Sequence, residues 1–204
     1  MQGYWKTMLA VIVAGCAIPA ADAQPVAQRP AVGAGDAWEF KGTSMPGDKP
    51  SDWSRTVIEA APDVVKARSE SGTLIEYDGM LNFMPQGRAD FARILVKYPL
   101  KVGDEWEFSR KFPNPGTLET GKAKVVAYEA ISVPAGTFQC YRIEAGASLV
   151  NKSYRENRTW KRWYCPDVKW IAKEIMETTI AGSFSRANET TVLTSELVKF
   201  TPGK

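Results

Sequence analysis

Glu105 and Glu107 are the residues of this 204-residue chain that come closest to an acid–base pair, two carboxylates one position apart in Asp104-Glu105-Trp106-Glu107-Phe108. Two acids flanking a sugar bond suffice for glycoside hydrolysis. Here they alternate with Trp106 and Phe108, the period of a strand with one apolar and one solvated face. That pattern sets the acids side by side in water. Histidine is absent from the chain, which excludes Ser-His-Asp and Cys-His mechanisms and the commonest zinc sites. The sequence holds no GxSxG elbow, SxxK nucleophile, phosphate loop or dinucleotide fingerprint. Glu76-Tyr77-Asp78-Gly79 lacks the further ligands of a calcium loop. No catalytic residue, metal ligand or cofactor is expected.

The remaining reactive groups are thiols. Cys140 lies in Thr137–Glu144 and Cys165 in Arg158–Asp167, two runs of aromatic and branched residues separated by a polar break. Neighbouring strands joined by a disulfide fit this arrangement, and two separate buried thiols are the alternative. The third cysteine, Cys16, belongs to a leader: Lys6, the apolar run Met8–Ile18, then Ala21-Asp22-Ala23 as a cleavage site. The run is shorter than the roughly 20 residues of a spanning helix. A signal peptide over residues 1–23 is one reading. Val13-Ala14-Gly15-Cys16 also resembles a lipobox, which would lipidate Cys16 and give the protein its sole membrane attachment. Either route exports the chain to an oxidising compartment and leaves Cys140 and Cys165 as an even pair, whose bridge would contribute about 3 kcal/mol in the chain-entropy model.

The net charge of +3 is too small for nonspecific nucleic-acid binding. It is unevenly spread: Lys152, Arg155, Arg158, Lys161, Arg162, Lys169 and Lys173 face only Glu156 and Asp167 within residues 151–173. Strand alternation puts Arg158, Trp160, Arg162 and Tyr164 on one face and Arg155, Thr159, Lys161, Trp163 and Cys165 on the other. Arginine against Trp or Tyr gains about 0.5–2 kcal/mol per pair. Such a face could dock an anionic headgroup, a glycan or another envelope protein, or be a cross-strand ladder with solvated arginines.

These groups need strands to hold them. Gly35-Asp36-Ala37-Trp38-Glu39-Phe40 returns as Gly103-Asp104-Glu105-Trp106-Glu107-Phe108, each a Gly-Asp turn delivering one aromatic face. The recurrence records either a duplicated half or a repeated way of starting a strand. Residues 24–34, rich in Pro, Ala and Gln, are expected to be a flexible tether to a single domain over 35–204. Lys41–Asp52 and Met80–Arg88 read as loops, and Phe91–Tyr98 as a strand. Composition is ordinary for a globular protein, 44% hydrophobic and 24% charged. About nine or ten strands and no long helix predict an all-β antiparallel sandwich or half-barrel. Trp38, Phe40, Trp106 and Phe108 would then line a curved sheet holding a lipid-like or other apolar ligand, or fill a closed core.

Three stretches carry a family resemblance: Tyr98–Trp106, Val133-Pro134-Ala135-Gly136-Thr137-Phe138-Gln139-Cys140 and Trp163-Tyr164-Cys165-Pro166. They are similar to a family of bacterial envelope domains of unknown function marked by PLxVGxxW, a PAGTF turn and a later WY with proline. The match covers roughly the C-terminal half. It implies an exported antiparallel β-domain, loosely like the curved sheets of lipoprotein-carrier proteins, and it implies no catalytic residue.

Overall fold

The computed structural model describes residues 25–112, 117–150, 155–181 and 189–203. The leader with Cys16 lies outside them. Among the described residues eleven strands form one antiparallel sheet: β1 (Ala37–Met45), β2 (Lys49–Pro50), β3 (Trp53–Ala60), β4 (Val64–Arg68), β5 (Leu74–Asp78), β6 (Glu105–Lys111), β7 (Leu118–Val133), β8 (Gly136–Val150), β9 (Arg155–Cys165), β10 (Trp170–Ala181) and β11 (Glu189–Thr201). No described helix is long and apolar enough to cross a membrane.

The strand order is β5-β4-β3-β1-β11-β10-β9-β8-β7-β6, with β2 added beside β1. From β6 to β11 the chain is a meander, and β11 then returns to pair with β1 from Ala37↔Thr201 to Met45↔Val192. Register shifts at Glu39/Phe40, Val57/Glu59, Val125/Ala127 and Ile171/Lys173 break the ladder. Bulges of this kind bend strands and increase their twist, so a single sheet of this width curls on itself as a half-barrel. The two-sheet sandwich is the expected alternative that is not seen.

The inner face carries two apolar clusters. One gathers Trp38, Phe40, Val57, Val65, Tyr77, Trp170 and Leu197. The other gathers Leu95, Val96, Phe108, Val125, Ile143, Trp160 and Tyr164. Cys140 and Cys165 are joined in a disulfide between β8 and β9, next to the pair Tyr141↔Tyr164. The cysteines belong to the first cluster and the tyrosines to the second.

Three expectations are corrected. The segment 25–34 is docked, because Ala27 exchanges backbone hydrogen bonds of 2.9 and 2.8 Å with Leu100 and the Tyr141 hydroxyl donates to the Pro25 carbonyl. Lys41–Asp52 is only partly a loop, since β1 runs on to Met45 and β2 pairs with it. Residues 92–97 form no strand. The buried Asn82 side chain takes the place of a neighbouring strand there, accepting from the Leu95 and Val96 N–H groups at 2.9 Å and donating to the Val96 carbonyl at 2.8 Å. This clamp satisfies the backbone without a ladder, and it draws residues 92–97 across the inner face.

Candidate functional site

Between the two clusters lies a cavity of about 270 Å³. Its aromatic wall is Trp53, Tyr77 and Trp170, whose rings meet edge to face: Trp53 and Tyr77 lie 5.7 and 5.4 Å from Trp170 between centroids. Phe40 stacks on the back of Trp53 at 3.9 Å and fixes it. Ile75, Leu81, Phe83, Leu95 and Ile171 complete the apolar lining. Phe83 is 53% exposed, so it marks the mouth.

Four arginines line the same space, against one acid, Glu174. Arg162 pairs with Glu174 across the β9–β10 ladder, where the two are register partners. Arg93, brought in by the segment that Asn82 clamps, makes a bidentate contact with the buried Glu119 at 2.5 and 2.6 Å. Arg110 reaches the same carboxylate at 3.0 Å. Arg55 donates to the Tyr77 hydroxyl at 2.9 Å and to the Ser54 carbonyl at 2.6 Å, and among the described residues it forms no ion pair. Its guanidinium sits 5.0 Å from the Trp53 ring centroid.

Burial works against the charges of Glu119 and Arg110. Desolvation pushes Glu119 toward protonation, yet the hydrogen bonds and charge of Arg93 and Arg110 outweigh it and hold the carboxyl below its ordinary range. Burial, with repulsion from Arg93, lowers Arg110 against the pull of Glu119. Burial raises the Tyr77 phenol, with Arg55 working the other way. Tyr77 therefore stays a neutral hydroxyl that accepts from Arg55.

The residues singled out from sequence fall elsewhere. Trp38 and Phe40 are packed in the first cluster at 2% and 3% exposure, and Phe108 in the second at 6%. Trp106 is half-buried, with its indole donating to the Ile94 carbonyl at 2.8 Å. None of the four lines the cavity. β1 and β6 are separated by five strands in the sheet order, so the two aromatic faces are not neighbours. Arg158, Trp160, Arg162 and Tyr164 do share one face of β9, but that face points inward: Trp160 and Tyr164 are 2% and 1% exposed, and Arg158 pairs with Glu156. Trp160 does meet an arginine, Arg93, at 4.6 Å. The docking platform expected at the surface is interior structure.

A larger concavity of about 760 Å³ runs over β6–β9. Its rim is the exposed cross-strand ladder Glu105–Lys124 and Glu107–Lys122, whose charges neutralise one another. Glu105 and Glu107 are thus each engaged by a lysine on the next strand and do not face one another across a cleft. Among the described residues no group of three or more Cys, Asp or Glu is placed to hold a metal ion.

The site residues missed from sequence left a readable trace. Trp106, Phe108 and Arg110 alternate on one face of β6, as Trp53, Arg55 and Val57 do on β3. In both cases an arginine occupies the apolar phase.

No family model matches the chain, and no curated protein matches it. Among solved structures, it is similar to a predicted exported protein with a YmcC-like fold from Bacteroides fragilis, at 12% identity over 87% of this chain and 100% of that one, with a TM-score of 0.44. A predicted lipoprotein from Parabacteroides distasonis gives 16% identity over 87% and 100%, with a TM-score of 0.45. The hypothetical lipoprotein YmcC from Escherichia coli gives 8% identity over 82% and 85%, with a TM-score of 0.43. These values describe a distant likeness of chain path, and no function follows from it.

Proposed function

We propose that this chain is an exported, noncatalytic β-domain of the cell envelope that holds a lipid-like or other apolar small molecule inside its curved sheet. The observation that carries this reading is the aromatic-walled cavity between the two apolar clusters. Concave, mostly apolar spaces with a few fixed polar groups are the usual form of a small-molecule site. Export is supported by the leader and by a disulfide, a bond that persists in oxidising compartments. Soluble release after Ala23 and anchoring through Cys16 are both compatible with a cavity that needs no membrane contact.

Native mass spectrometry of the chain purified from a bacterial periplasm tests the proposal. The expected result is a mass adduct released by organic extraction and identified as an apolar or amphiphilic compound. The adduct should vanish when Leu81→Trp fills the cavity in a variant that keeps its circular dichroism. An adduct that survives in this variant, or bare protein at every preparation, removes the assignment.

A further inference from the structure

The polar atoms around the cavity are unevenly satisfied. Trp170 is 6% exposed and lines it, yet its indole N–H has no hydrogen-bond partner among the described residues. Arg110 is 9% exposed, and its Nε–H is likewise unpartnered. Both groups are donors. The carboxylate that lines the cavity, Glu174, is taken up in its ion pair with Arg162, and among the described residues it accepts no hydrogen bond from either of these groups. Charge shows the same imbalance. Arg55, Arg93, Arg110 and Arg162 are met by Glu174 and by Glu119, which Arg93 and Arg110 share. Buried donors and buried positive charge are each unfavourable unless an acceptor reaches them.

We infer that the ligand is an amphiphilic anion: a carboxylate, phosphate or sulfate group held among Arg55, Arg110 and the Trp170 N–H, with an apolar tail leaving past Phe83. This rests on the cavity being a ligand site, and it names the class. An anionic oxygen is acceptor-only, so it complements a set of surplus donors, and guanidinium groups bind such anions in fixed planar geometry. The tail follows from size and mouth. About 270 Å³ is below the range of roughly 300–1,000 Å³ that encloses a drug-sized ligand. The head and its nearest carbons fill the space, and the rest of the chain runs out over the exposed ring of Phe83.

Matched ten-carbon probes test this on delipidated full-length mature protein, by titration calorimetry below their micellar concentrations. Decanoate and decyl phosphate are expected to bind at least about tenfold more tightly than decanol. Arg55→Gln should erase that preference and Arg55→Lys should keep part of it, with urea midpoints confirming that both variants are folded. Arg55 is the residue to change because no acid is left unpaired by its loss. Decanol binding as tightly as decanoate, with Arg55→Gln without effect, would leave the apolar cavity standing and overturn the anionic head. Inorganic phosphate binding as tightly as decyl phosphate would overturn the amphiphile. Binding of none of the probes would overturn both the inference and the reading beneath it.

Discussion

The turns that open β1 and β6 are built alike down to single hydrogen bonds. Asp36 accepts from the Gly33 N–H at 2.8 Å, and Asp104 accepts from the Lys101 N–H at 2.9 Å. Gly35 and Gly103, with φ of 89° and 97°, donate to the carbonyls of Val57 and Val125, each on the next strand of the sheet. Two residues past each aspartate a tryptophan donates its indole N–H to a loop carbonyl, Trp38 to Val168 at 2.7 Å and Trp106 to Ile94 at 2.8 Å. The two diverge in what surrounds them. Asp36 is fully buried and also receives Lys169 and the Gly203 N–H, so one carboxylate ties the start of the sheet, the β9–β10 connection and the chain's end. Asp104 is half-exposed, and among the described residues its carboxylate caps only its own turn. The same six-residue device is a junction at one site and a local fastening at the other, so its weight is set by what it touches.

The sharpest way to break this contrast is to remove each carboxylate. Asp36→Ala strands Lys169 and two backbone N–H groups, and is expected to lower stability by about 3 kcal/mol. Asp104→Ala loses a single cap and should lower it by about 1 kcal/mol. Urea midpoints of the two variants decide the matter, and equal losses would dissolve the distinction. Acid sharpens it. Burial opposes the Asp36 carboxylate, but the Gly203 and Gly33 N–H groups and Lys169 outweigh it and hold its pKa below the ordinary 3.8. A group depressed on folding contributes fully above its unfolded value and loses that contribution as the pH falls through the folded one. The stability gap between wild type and Asp36→Asn should therefore be constant above about pH 5 and narrow below 4.

Much of this was readable in the chain. The alternation of Trp38 and Phe40, and of Trp106 and Phe108, gave strand and face correctly because a pleat has a fixed period. The aromatic and branched runs Thr137–Glu144 and Arg158–Asp167, parted by a polar break, put Cys140 and Cys165 on neighbouring strands because consecutive antiparallel strands pair with each other. What stayed hidden depended on contacts distant in sequence. Phe91–Tyr98 has the composition of a strand, yet the Asn82 side chain satisfies its backbone instead. The basic face of β9 has a surface-like composition, yet Glu156 and Glu174 pair with its arginines and allow it to turn inward. Arg55 and Arg110 were visible on the apolar phase of their strands, and only the fold showed that both open onto one cavity.

The tryptophans extend the contrast at intermediate size. Trp38→Phe leaves the Val168 carbonyl unpaired and a void in a packed cluster, for an expected loss of about 2 kcal/mol. Trp106→Phe, at a half-buried position, should lose about 1 kcal/mol. The second variant carries a further signature, because its indole holds the segment bearing Arg93. Amide exchange of residues 92–97 should accelerate in Trp106→Phe and remain unchanged in Trp38→Phe. Acceleration in both would mean that the segment follows global stability and is not fastened by Trp106.

The smallest effect concerns the part the two turns share. Gly35 and Gly103 lie in the left-handed region, where a Cβ is strained whatever room surrounds it, and Gly103 has open space on all sides. Gly35→Ala and Gly103→Ala should each lower stability by about 1 kcal/mol, and by the same amount within error. Equality is the informative outcome. It would show that the turn's backbone carries the same strain in both places, so the difference between Asp36 and Asp104 arises wholly from Lys169 and Gly203. A markedly larger loss at Gly35 would instead place part of that difference in the turn itself, and the likeness of the two devices would end at their hydrogen bonds.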